Sequence, residues 1–181
     1  MQTLTTKTTH DNGRPPSSVA NIASTLALVL LVNAPIFIFG WDGTAATPFL
    51  SPLSPPSWVV GVVWTFLFAG FGYSRYRLLR VAWDSPAEPV KRRAVRARRW
   101  LEGYIVFCAL YPFYTLLPAS EMAGFFGNLA TIAFAVVAVS QMWPVDRRAA
   151  YGVLASMAWV VFATLLTGQA LGFIPGGLPV N

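Results

Sequence analysis

Charge is scarce in this sequence. Only 11% of its 181 residues are Asp, Glu, Lys or Arg, against about 25% in soluble domains, and long stretches carry none. That scarcity excludes a soluble fold and leaves the two architectures that satisfy their backbone inside lipid, a helical bundle or a closed barrel. There is one cysteine, Cys108, which alone can form neither an internal disulfide nor a cysteine metal site and reads as a small buried residue. The one histidine, His10, falls in a polar N-terminal stretch. No Asp, Glu, Lys or His lies well inside an apolar segment, so nothing there can relay protons or bind an ion. No Ser-His-Asp set, glycine-rich phosphate loop or metal-ligand spacing occurs. An ion pump or hydrolase is poorly supported, no catalytic or metal residue is assigned, and no secretory cleavage signal is evident.

What is abundant is apolar residue, 55% of the chain, in continuous rather than alternating runs, which favours helices over barrel strands. Five segments are long enough to span about 30 Å of hydrocarbon: about 19–39, 58–79, 100–117, 123–143 and 149–174. The expected fold is all-α, a five-transmembrane-helix bundle forming one domain, with residues 1–18 a disordered polar tail and 175–181 a short C-terminal tail. Pro35 and Pro112 should bend the first and third spans. Trp58, Trp100 and Trp143 mark span ends as an interfacial belt.

The basic residues set the orientation. Nine of 13 lie between Arg75 and Arg99; Lys7 and Arg14 precede the first span, and Arg147 and Arg148 follow the fourth. All fall on alternate sides of a five-span chain, which places the N-terminus and these connections in the cytoplasm and Asn181 opposite, in a bacterial inner membrane. The net charge of +6 is therefore an orientation and lipid signal, not a nucleic-acid one. After Pro86 and Pro89, residues Lys91 to Arg99 can form a short helix, and Arg92, Arg93, Arg96 and Arg98 are expected to meet anionic lipid or an acidic partner.

Aromatic residues recur at helical spacing inside the spans: Trp64, Phe68 and Phe71; Phe107, Tyr111 and Tyr114; Trp159 and Phe162. Polar side chains sit among them, including Thr65, Asn128, Gln141, Thr164, Thr167 and Gln169. Flat rings with a few polar groups suit a large flat apolar ligand; the same spacing also fits ordinary bundle packing. Gly152 and Ser156 form a small-residue pattern suited to close helix packing.

Pro55-Pro56-Ser57-Trp58-Val59-Val60-Gly61-Val62-Val63-Trp64-Thr65 resembles the second-helix signature of the TspO/MBR family, the tryptophan-rich sensory and translocator proteins. Trp159-Val160-Val161-Phe162-Ala163-Thr164-Leu165-Leu166-Thr167 resembles its last-helix motif. The resemblance covers roughly Trp41 to Phe173. There are departures: Leu53 replaces an aromatic before the prolines, Thr167 replaces an asparagine, Ala155 and Ser156 replace Pro-Tyr, and Tyr111-Pro112-Phe113-Tyr114 replaces the third-span motif. The resemblance implies a five-helix bundle around a porphyrin pocket, sterol or synthetic aromatic ligands in some members, frequent dimerisation, and in some bacterial members light-dependent breakdown of protoporphyrin by two tryptophans matching Trp64 and Trp159.

The expected function is therefore membrane binding of a tetrapyrrole or other flat apolar ligand, in pigment or tetrapyrrole regulation or transport. Trp64, Phe68, Tyr111, Tyr114, Asn128, Trp159, Phe162 and Thr167 are the candidate contacts. No covalent cofactor is expected; the candidate ligands are a porphyrin, bacteriochlorophyll, a carotenoid or a sterol-like molecule. The alternative is an accessory subunit of a larger photosynthetic pigment–protein complex, and a porphyrin-degrading enzyme ranks last. The topology is testable: in a Cys108→Ser background, Arg93→Cys should resist impermeant thiol reagents in intact cells and label after permeabilisation. Labelling in intact cells would invert the orientation.

Overall fold

The computed structural model describes residues 15–39, 55–115 and 120–174. Within them lie six helices and no strand: α1 (Ser18–Ile38), α2 (Ser57–Asp84), α3 (Glu88–Ala109), α4 (Tyr111–Thr115), α5 (Glu121–Met142) and α6 (Arg147–Ala170). The two expected tails, apart from residues 15–18, and Leu53 lie outside the described residues. Helix starts follow capping chemistry. Ser17 Oγ accepts from Ala20 N–H, Ser120 Oγ from Ala123 N–H, and Asp146 from Arg148 and Ala149 N–H.

Six helices appear where five were expected because the third segment is divided and shifted. Expected from Trp100, it starts at Glu88, runs unbroken through the arginines to Ala109, and resumes as α4. Pro89 falls in the first turn, where its missing N–H costs nothing. Arginine and alanine favour helix, and Ala94, Ala97 and Leu101 bury at helical spacing. The segment Lys91–Arg99 is thus part of the first half of α3, not a separate short helix. Trp100 sits in mid-helix, edge-on to Phe134 with ring centroids 5.9 Å apart. The break comes from Pro112, which has no N–H to offer the preceding turn. Phe113 N–H donates to Leu110 O at 2.9 Å, and Asn33 Nδ2 of α1 donates to Ala109 O at 3.4 Å, supplying a side-chain donor at the break. α2 likewise runs beyond Leu79 to Asp84.

α2 is central, packing on α1, α3 and α6, while α5 packs on α3 and α6. Small residues allow the close approaches. A Cβ on Gly72 would lie 2.6 Å from Ile22 Cα of α1. Gly152 of α6 meets Ser74 Oγ and lies against Gly70 O of α2, so the Gly152–Ser156 pattern does face a neighbouring helix. In the core, Tyr104 and Ser156 hydroxyls are 2.9 Å apart; since Ser156 donates to Val153 O, Tyr104 is the donor between them.

Large apolar side chains cover the outside, among them Leu31, Phe66, Phe126 and Leu165. Among the described residues, three helices are long and apolar enough to cross a membrane: α1 over Ser18–Pro35, α5 and α6. This is the build of an integral membrane protein, whose apolar exterior faces acyl chains. Gly72→Ala should lower stability by about 1–3 kcal/mol, because backbone must move to admit the methyl. Gly61→Ala, with open space around it, should be neutral or stabilise by up to about 1 kcal/mol. Thermal unfolding in detergent distinguishes them; equal melting temperatures would refute the tight α1–α2 contact.

Candidate functional site

The aromatic residues of α2, α3 and α4 converge on α5. The Trp64 ring lies 5.5 Å from Phe68 and 6.3 Å from Tyr111, centroid to centroid. Tyr111 meets Tyr114 at 5.4 Å, and Tyr114 meets Phe107 at 5.2 Å. The bend at Pro112 brings these tyrosines over α5. There the Tyr111 hydroxyl donates to Asn128 Oδ1 at 2.6 Å, with Asn128 buried. The Tyr114 hydroxyl donates to Phe107 O at 3.3 Å. Five of the eight candidate contacts, Trp64, Phe68, Tyr111, Tyr114 and Asn128, therefore form one cluster of rings around a part-buried polar pair.

The other three are on α6. Trp159 is half-buried with its ring 5.6 Å from Phe162, and Phe162 is exposed on the outside of the bundle. Thr167 donates its hydroxyl to Ala163 O at 2.9 Å. Depth relates Trp159 to the cluster. Arg77 meets Asp146, and Gly70 meets Gly152, so α2 and α6 run antiparallel. Two turns beyond Gly152 lies Trp159; two turns before Gly70 and Ser74 lie Val63 and Leu67. Trp159 is thus level with Trp64 and on the side of α6 that carries Gly152 toward α2. Phe162 is a poor contact for any ligand held at Trp64.

At the other end of α2 are polar groups whose pairing is not evident from sequence. Arg75 Nε meets Glu102 Oε1 at 2.9 Å, and its Nη1 donates to Ser24 Oγ at 3.3 Å. Arg77 closes on Asp146 Oδ2 at 2.8 Å. Arg98 turns inward to Glu102 at 3.5 Å, so it does not belong with the outward-facing Arg92, Arg93 and Arg96. The only advance signal was the Asp-Arg-Arg run at Asp146, a helix-start pattern. Two surface clefts lie near this end. One, of about 400 Å³, follows a face of α2 through Tyr76, Arg80 and Asp84. The other, of about 390 Å³, is bounded by Val136, Trp143 and Met157.

An all-helical, lipid-facing bundle with a tryptophan–tyrosine cluster at one end and arginines at the other defines a polytopic membrane protein with an aromatic site. The chain matches the TspO/MBR family over residues 25–171 and belongs to that family. No curated protein matches it.

The Tyr111–Asn128 bond holds the cluster together. Tyr111→Phe should destabilise the protein by about 0.5–1.5 kcal/mol, and Asn128→Leu by about 1–3 kcal/mol because it removes the acceptor of this bond and a buried amide. The double variant should cost less than the sum. Strict additivity in thermal unfolding would show that the two side chains do not interact.

Proposed function

We propose that this chain binds a tetrapyrrole or a similarly flat apolar molecule within the membrane, in tetrapyrrole regulation or transport. The carrying observation is the packing of Trp64 and Tyr111 beside the part-buried Tyr111–Asn128 pair, a π-rich surface with one ordered polar point. Trp159, at the same depth, supplies a second indole. Membership of the family supports the ligand class. Here α2 and the α3–α4 unit are the second and third of five spans, each with its arginine-bearing end outside the hydrocarbon. The N-terminus and the α2–α3 turn face the cytoplasm of a bacterial inner membrane.

Trp64→Ala and Trp159→Ala should each weaken protoporphyrin binding by about 1–3 kcal/mol, as loss of one stacking platform does elsewhere. Titration of the porphyrin absorption band against purified wild type and both variants measures this. Equal affinities in folded proteins would favour the alternative, a subunit docked in a larger pigment–protein assembly. Steady loss of the band under illumination would favour the enzyme.

A further inference from the structure

Of the basic residues between Arg75 and Arg99, four are matched by carboxylates: Arg75 and Arg98 by Glu102, Arg77 by Asp146, and Arg80 by Asp84. Lys91, Arg92, Arg93, Arg96 and Arg99 show no ion pair among the described residues. Segment 75–102 holds nine basic and three acidic residues, a surplus equal to the net +6 of the whole chain.

Position decides what this surplus can meet. Arg92, Arg96 and Arg99 follow one exposed face of α3 at spacings of four and three. The same face continues through Gly103 to exposed Val106 and Leu110. Polar gives way to apolar near Trp100, level with the Arg75–Glu102 pair. From there to Glu88, α3 rises about 18 Å at 1.5 Å per residue, and α2 accompanies it to Asp84 with Leu78, Ala94 and Ala97 buried between elements. The hairpin therefore stands off the bilayer. A headgroup layer only about 5–8 Å deep can reach Arg99 but not Arg92 and Arg93, about 10 Å further out. A second copy of the chain would bring like charge to like charge. The projecting part of α2 also exposes Trp83, and Val90 is exposed at the tip. Tryptophan and arginine are both enriched among the residues that anchor protein contacts.

We propose that the projecting α2–α3 hairpin is a docking surface for an acidic segment of another protein. Arg92, Arg93, Arg96 and Arg99 meet its carboxylates, and Trp83 supplies an apolar anchor. This goes beyond the ligand-binding reading and uses neither Trp64 nor Trp159.

The test uses the full chain in nanodiscs of phosphatidylcholine or of phosphatidylglycerol, with anisotropy of a labelled twelve-residue oligoglutamate as probe. Wild type should bind it in both bilayers, more weakly as salt rises. R92Q/R93Q/R96Q/R99Q should lose about tenfold or more and R96E alone about threefold, whereas R147Q/R148Q should match wild type. Unaltered porphyrin titration and helical circular dichroism would certify the fold; if the quadruple variant fails them, R96E decides. Loss of wild-type binding in phosphatidylglycerol alone would assign the stripe to lipid and overturn the proposal. So would wild-type affinity in R96E, or tighter binding of a twelve-nucleotide oligothymidylate.

Discussion

Arg75 and Arg77 reach from α2 in different directions, and the contacts they make align four helices at one polar level. Arg75 ties α2 to Glu102 of α3 and Ser24 of α1. Arg77 places Nε and Nη2 on Asp146 Oδ2, while Oδ1 takes the first N–H groups of α6. One carboxylate thus caps a helix and anchors a neighbour. The Arg75 pair is about one-third exposed on both sides, so it contributes at most about 1 kcal/mol. Its consequence is register: α1, α2, α3 and α6 are aligned at one polar level, and every depth relation above and below it follows.

Between that level and the aromatic cluster, the approach of α2 to its neighbours depends on the absence of side chains. Hydrophobic burial does little to join helices already in lipid, and association relies on close van der Waals contact and hydrogen bonds. Gly72 lets α1 touch backbone to backbone, and Gly70 with Gly152 does so for α6. Polar atoms in this layer bond locally: Ser74 to Gly70 O, Thr131 to Gly127 O, Ser156 to Val153 O. The Tyr104–Ser156 bond adds one crossing link. With both the polar level and the glycine contacts fixed, the orientation of Trp64 and Phe68 toward α3 and α4 is determined.

The approximate positions of the apolar segments were legible because length and hydropathy report on lipid directly. Which way their side chains point was not. In a helix apolar all round, periodicity cannot separate a ring facing a neighbour from one facing lipid. Phe68 and Phe162 looked alike in sequence, yet one is buried and the other exposed. The break at Pro112 was readable from proline chemistry, but the true start of α3 was not. A count of charge ends a span at the first arginine, whereas the helix, stabilised by alanines buried against its neighbours, continues through the arginines to Glu88. The Arg75–Glu102 pair was not legible, because its members lie 27 positions apart in the chain.

The hydrogen-bond accounting at the cluster also bears on what ligand it selects. Tyr111 donates to Asn128, Tyr114 to Phe107 O, Thr164 to Val160 O and Thr167 to Ala163 O. These hydroxyl protons are committed to the protein, so the remaining side-chain donors among the candidate contacts are the Asn128 amide and the indole N–H groups of Trp64 and Trp159, beside lone pairs and ring faces. Thr167, where the family carries asparagine, has no amide to donate. A carboxylate brought into this layer would be desolvated with few donors to meet it, a cost of several kcal/mol for an unpaired charge. The arginines that could pair it are at the opposite end of α2. On the proposed reading a porphyrin would meet these rings with the face of its macrocycle and keep its carboxylates outside the cluster, a restriction that an uncharged flat ligand avoids.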